Sequence, residues 1–211
     1  MPATADTVDP ASTTPTTTTT TATSTTTTTL VPATDPSAAV PPPTDLAEAT
    51  VVSRVATGSR LAVGDSILVG ATPLMRRHGF AIHAKVGRQF STAPGIVRAF
   101  GGALPRNVVI ELGTNGTVSL ATCRAVVRAA GPHRRVFLVT NRVPRSWEDS
   151  NNATLRACDA SFRASRVRLV DWHAASAGRA DWFAADGIHP SAAGRAAFTR
   201  LVDRAVDRYG L

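Results

Sequence analysis

After residue 50 the chain carries five short apolar runs, Leu61 to Val63, Phe80 to Ile82, Val108 to Leu112, Val136 to Val139 and Val167 to Val170. Four are rich in β-branched residues, and each ends near Gly, Asp, Asn or Thr. Continuous rather than alternating hydrophobicity predicts strands covered on both faces, the condition of a parallel sheet. Between the runs the spacing changes. Leu201, Val202, Ala205, Val206 and Tyr209 recur at intervals of three and four, which predicts a closing helix that starts just after Pro190 with Ser191 as its cap. Leu120, Cys123, Val126 and Val127 form a second such stripe, and Leu155, Cys158 and Phe162 a third. Strand and helix therefore alternate about five times, the pattern of an α/β three-layer sandwich around an about five-stranded parallel sheet, with ligands expected beyond the carboxyl ends of the strands.

Residues 1–50 differ in kind. They are Thr, Pro, Ala and Ser with tracts such as Thr16 to Thr21, and contain no Lys, Arg, Trp, Phe or Tyr. Such a composition buries too little apolar surface to offset the entropy of ordering it, so a disordered leader or tether is expected over 1–50 and one single-core domain over 51–211.

All 23 Lys and Arg lie after residue 50 with 10 of the 15 acidic residues, a formal charge of +13 for the expected domain. That charge favours an anionic neighbour, a cell envelope before a nucleic acid. The basic residues are scattered and nearly all Arg, and no zinc-finger spacing, helix-turn-helix pattern or aromatic-rich single-strand stretch accompanies them, so nucleic-acid binding is not expected. No apolar run of membrane-spanning length occurs, and Met1 to Pro10 lack the basic and apolar parts of a secretory signal. Read literally the chain would stay in the cytoplasm, whereas Thr and Pro tethers are typical of stalks outside the membrane. Cys123 and Cys158 read first as two small buried hydrophobes, with a disulfide suited to an exported domain as the alternative.

The chemistry-bearing residues cluster at strand ends. Gly64, Asp65 and Ser66 follow the first run, and a serine on a strand-to-helix turn has its hydroxyl raised at the sheet edge and its N–H near the positive end of a helix. The bland alternative is that Asp65 and Ser66 only cap the helix. Gly87, Arg88 and Gln89 follow the second run, and Gly87 lets a backbone N–H approach a ligand. Gly113 to Gly116 follow the third, where Asn115 can present a side-chain amide. Asp186 stands three residues before His189, close enough to take the imidazole Nδ1 proton and leave Nε2 as a base. The five histidines show no metal-ligand spacing, neither Gly-x-Ser-x-Gly nor a phosphate-binding Gly-Lys-Ser occurs, and neither metal nor cofactor is expected.

Gly64-Asp65-Ser66, Gly87, Gly113-x-Asn115 and Asp186-x-x-His189 together resemble, in order and interval, the blocks of the SGNH, or GDSL-type, hydrolase superfamily. The resemblance covers about residues 58–210 and implies a flavodoxin-like sheet. Val86 to Gln89, Val109 to Gly116, Arg142 to Arg145 with Trp147-Glu148, Asn152 to Leu155, and Asp171-Trp172 look closest to the SGNH domain at the C-terminus of bacterial membrane acyltransferases that O-acetylate peptidoglycan or other envelope sugars. The resemblance implies Ser66 as acyl carrier, His189 as base then acid, Asp186 as orienter, and the Ser66 and Gly87 N–H groups with the Asn115 amide as oxyanion donors. Arg88, Gln89, Arg142, Trp147 and Trp172 are expected on the substrate side, with Trp182 a further aromatic for stacking on sugar. The expected partner is a cell-envelope glycan or other small acyl ester and, for transferase action, an outside membrane acyl donor. A stand-alone esterase or lipase, and a catalytically silent envelope-binding module, are the rival readings.

Overall fold

The structure, a computed structural model, describes residues 50–52 and 59–211, with side chains from residue 59 onward. Apart from Thr50, the leader expected over 1–50 lies outside the described residues. Six strands form one sheet: β1 (Thr50–Val52), β2 (Arg60–Gly64), β3 (Phe80–Lys85), β4 (Asn107–Glu111), β5 (Arg135–Val139) and β6 (Val167–Val170), in the order β1-β3-β2-β4-β5-β6. β2 to β6 are all parallel, as the continuous apolar runs require, and β1 adds an antiparallel edge against β3. That edge strand is the departure from expectation: three residues make no run of their own.

Among the described residues six helices cover the sheet: α1 (Ser66–Arg77), α2 (Ala93–Ala99), α3 (Leu120–Ala129), α4 (Glu148–Ala160), α5 (Trp172–Ala175) and α6 (Ala192–Tyr209). Successive strand residues point to opposite faces. Leu61, Val63, Val108, Ile110, Val136 and Leu138 meet Val97 of α2, Val126 of α3 and Leu155 of α4. Ala62, Ile82, Val109, Phe137 and Val139 face the other way, onto Leu68 and Met75 of α1 and Phe198 and Val202 of α6. The strand residues named are fully or almost fully buried, so a single polar substitution on either face would strand an unpaired group in the core. The caps follow the sequence: Ser191 Oγ accepts the Gly194 N–H at 3.2 Å to start α6, and Ser119 Oγ accepts the Thr122 N–H at 3.1 Å to start α3.

Cys123 of α3 and Cys158 of α4, both fully buried, are joined in a disulfide with Cα atoms 6.2 Å apart. The reading as two separate buried hydrophobes gives way to the alternative. No helix among the described residues is long and apolar enough to cross a membrane.

The strand order reverses direction at β2, because the chain moves from β2 outward to β3 and then returns to β4 on the other side. Loops leaving the carboxyl ends of β2 and β4 therefore diverge, and the crevice between them is where a parallel α/β sheet accepts a ligand.

Candidate active site

β2 ends at Gly64, Asp65 caps α1 by accepting the Ile67 N–H on Oδ1 at 3.1 Å, and Ser66 is the first helical residue. Its N–H belongs to the first turn of α1, which has no intrahelical acceptor and points beyond the helix N-terminus. Gly64 is paired in register with Glu111, the last residue of β4. A Cβ on Gly64 would stand 2.7 Å from Glu111 Oε2 and 2.6 Å from Leu68 Cβ, so no side chain fits there. The Asp65 N–H points at Glu111 Oε2, at 3.3 Å. Arg88 reaches beneath the same turn and donates from one guanidinium nitrogen to the carbonyls of Gly64, at 3.1 Å, and of His83. Asp65 is fully buried and Glu111 almost so. Burial pushes the Asp65 carboxyl up to about 6, against hydrogen bonds from the Ile67 N–H and from Thr114. Burial, then the Asp65 charge, pushes Glu111 well above the ordinary carboxylate range.

The opposite wall is a loop closed at its base by a bridge between Phe183 and Pro190 and by the Ala184 N–H donating to the His189 carbonyl at 2.8 Å. Within it Asp186 Oδ1 accepts the N–H groups of Ile188, at 2.8 Å, and His189, at 3.0 Å. Asp186 Oδ2 lies 2.6 Å from His189 Nδ1, and His189 Nε2 lies 3.0 Å from Ser66 Oγ. Partial burial pushes the Asp186 carboxyl up, but the hydrogen bonds from the His189 ring and the two backbone amides prevail and hold it below the usual range. An ionised Asp186 accepts a hydrogen bond from Nδ1–H, which fixes the tautomer and leaves Nε2 as the acceptor for the serine hydroxyl.

The remaining wall comes from the loops after β3 and β4. Gly87 has φ +71°, a left-handed conformation that turns its amide out of the strand path. The loop with Thr114 and Asn115 is held from behind by buried asparagines: Asn151 Nδ2 donates to the carbonyls of Gly113 at 3.0 Å and Gly116 at 2.9 Å, and Asn141 Nδ2 donates to the Leu112 carbonyl at 3.0 Å. Asn152 in turn accepts the Asn141 N–H at 2.7 Å. Ser66, His189, Gly87 and Asn115 all line one open cleft of about 830 Å³, with Gln89 and Trp147 on its rim. The arrangement can activate a hydroxyl nucleophile and surround an oxyanion with N–H donors.

Three residues expected on the substrate side lie elsewhere. Arg88 is buried under the serine turn. Trp172 is 3% exposed in the core beneath α6, stacked on Trp182 at 5.7 Å and edge-on to Phe198, because α5 turns its first residue inward. Arg142 opens on an adjoining cavity and lies 3.5 Å from both Glu148 Oε1 and His173 Nε2. Gln89 lines the cleft with one N–H of its amide on the Asn115 carbonyl, and Asn115 Nδ2 in turn reaches the Arg88 carbonyl at 3.4 Å with one of its two hydrogens. Glu148, Asp149 and His173 could converge on a cation, yet the Arg142 guanidinium already sits against two of the three. Glu111, Asn141 and Asn151 were not singled out by sequence. A carboxylate inside the apolar run Val108 to Leu112 was the visible signal for the first, and nothing local marked the asparagines.

No family model matches the chain. Over 131 residues, 61% of its length, the chain is 37% identical to the O-acetyltransferase OatA of Staphylococcus aureus, and it spans about a fifth (21%) of the length of that curated relative. Among solved structures, the C-terminal catalytic domain of Streptococcus pneumoniae peptidoglycan O-acetyltransferase A, determined with a methylsulfonyl adduct, superposes with a TM-score of 0.61 at 19% identity, covering 72% of this chain and 94% of that one. A carbohydrate esterase family 3 structure from Talaromyces cellulolyticus gives a TM-score of 0.56 at 17% identity over 71% of this chain and 96% of that one, and a lipase/acylhydrolase from Enterococcus faecalis gives 0.55 at 20% over 72% and 97%. Sequence and fold together thus relate the domain to the O-acetyltransferase that it matches over 131 residues, on the α/β fold that it shares with these transferase, esterase and acylhydrolase structures.

Proposed function

We propose that this domain transfers an acyl group, acetyl in the first instance, at hydroxyls of cell-envelope carbohydrate through a covalent acyl-Ser66 intermediate. The observation that carries the reading is the line of contacts from Asp186 Oδ2 through the His189 ring to Ser66 Oγ, 2.6 Å and 3.0 Å long, in a chain 37% identical to an O-acetyltransferase. His189 Nε2 takes the serine proton as Oγ adds to the acyl carbonyl carbon. The Ser66 and Gly87 N–H groups and the Asn115 amide receive the negative charge that develops on the carbonyl oxygen. The imidazolium, held by Asp186, returns the proton to the departing oxygen and leaves the acyl group on Ser66. A sugar hydroxyl then repeats the sequence in reverse, with His189 accepting its proton.

The Thr/Pro-rich segment over residues 1–50 serves in this reading as a tether, and a membrane protein supplies the acyl donor. An open, half-polar cleft with Trp147 on its rim suits a sugar better than a long acyl chain. Water can discharge the same intermediate, so acceptor binding alone separates transferase from esterase. The test supplies the purified domain with an activated acetyl ester and muropeptides or chito-oligosaccharides. The expected product is glycan heavier by roughly 42 Da, the mass of one acetyl substitution by this route. Loss of acetyl from acetylated peptidoglycan without any transfer would assign an esterase instead. Turnover of long-chain lipid esters in the absence of both would remove the carbohydrate assignment.

A further inference from the structure

Beneath the serine turn lie two acids that the acyl chemistry does not use. Asp65 is fully buried and Glu111 is 3% exposed. Glu111 Oε2 lies 3.3 Å from the Asp65 N–H and the two carboxyls act on each other; two carboxylates buried this close oppose each other's charge, so one of them is expected to keep its proton. Asp65 Oδ2 is buried and unpaired, although Thr114 also bears on the carboxyl. Glu111 Oε2 meanwhile accepts the Asp65 N–H at 3.3 Å, and the Leu68 N–H lies close enough to act on the Glu111 carboxyl, so one side chain bears on the backbone on both sides of Ser66.

We propose that Glu111 is a positioning residue for the nucleophile turn, which carries a proton in the resting domain, donates it to the Asp65 carboxylate, and holds the Asp65 and Leu68 amides through its own oxygens. The surroundings support this distribution. Asp65 faces the Arg88 guanidinium below and His189 across the cleft, and both act on it as positive charges or potential ones. Of the charges that act on Glu111, that of Asp65 is the largest, and it opposes ionisation. One Arg, one carboxylate and one neutral acid make a floor without net charge. A second negative charge there would lie under the position where the oxyanion forms and would oppose it. The requirement for glycine at position 64 follows from the same contact, since Glu111 Oε2 occupies the space of a side chain.

The positioning role rests on Ser66 being the nucleophile, whereas the proton is independent of it, and the experiment reads the two separately. Glu111→Leu removes both functions of the carboxyl. Turnover of an acetyl ester falls about 10²-fold, the loss expected when a nucleophile shifts by an ångström. In Glu111→Gln the amide oxygen still accepts, the NH₂ still donates to Asp65, and no proton can be lost. This variant recovers turnover to within roughly threefold of the parent, the range of one altered neutral hydrogen bond.

The thermal midpoint supplies the second reading. Folding raises both carboxyls above their unfolded values, Asp65 to about 6, so the folded state holds the extra proton; the stabilisation is complete below about pH 4 and is lost as the pH rises through about 6 and beyond. Between about pH 5 and about pH 9 the parent therefore loses midpoint relative to Glu111→Gln, which titrates one group fewer. A gap between the two midpoints that does not widen with pH overturns the proton. A Glu111→Gln variant as slow as Glu111→Leu, or one that does not fold, overturns the whole proposal, because amide and neutral acid share a shape. Should the parent itself turn over no ester, the positioning role falls with the nucleophile, and the thermal comparison alone decides the proton.

Discussion

The turn that carries Ser66 and the loop that carries His189 hold partners 3.0 Å apart by different means. The turn joins a central strand to a long helix, lies over a buried acid pair and an arginine, and is fixed by side chains from β4 and from the loop after β3. The loop is exposed, with the side chains of Asp186 and His189 at 44% and 42%, and is fixed by its own backbone and by the two amides that Asp186 accepts. If Ser66 and His189 act as proposed, the division has a chemical logic. A nucleophile benefits from a rigid, desolvated base, while a residue that exchanges protons with substrate and water in every cycle needs access to both. In this site precision is bought by burial on one side and by local hydrogen bonding on the other.

The comparison can be tested by removing one group at a time from each side. Ser66→Ala should give the largest effect, a fall of roughly 10⁴-fold or more in hydrolysis of p-nitrophenyl acetate with an unaltered melting curve. Retention of a tenth of the rate would show that the hydroxyl is not the attacking group. Asp186→Asn should cost roughly 10²- to 10⁴-fold, because the amide no longer selects the tautomer or stabilises the imidazolium. Its Oδ1 can still accept the Ile188 and His189 amides, so circular dichroism and the melting curve should stay near the parent's. A large drop in stability would instead mean that the loop depends on the carboxylate charge for its shape. Asn115→Ala, on the third wall, should lower kcat by about 10²-fold with little change in KM, the signature of a donor that acts on the transition state. A rise in KM at constant kcat would reassign Asn115 to ground-state binding.

The layers of the fold were legible because a parallel sheet covered on both sides writes its strands as unbroken apolar runs, and all five were readable, from Leu61 to Val170. β1 was not, since Thr50 to Val52 carry too short a pattern and pair only with the edge of β3. The site residues at strand ends could be named because each lies where a glycine or a short polar cluster interrupts a run. What sequence could not supply was direction. Arg88 and Trp172 are neighbours of cleft residues in the chain, but Arg88 turns beneath the sheet edge to cap two carbonyls and Trp172 turns into the core against Phe198. The asparagines at 141 and 151 were hidden for a related reason: their partners are backbone groups up to 38 residues away, and such pairings leave no periodic trace.

The cross-link between Cys123 and Cys158 closes a segment that contains β5, Asn141, Trp147 and most of α4. The Trp147 side of the cleft and the asparagines that brace the Asn115 wall thus lie on a covalently closed loop. Bonds of this kind persist where thiols are not kept reduced by glutathione or thioredoxin. Maturation of this wall is consequently an oxidation as well as a folding event, and the redox character of the compartment in which the chain folds becomes part of what shapes its site.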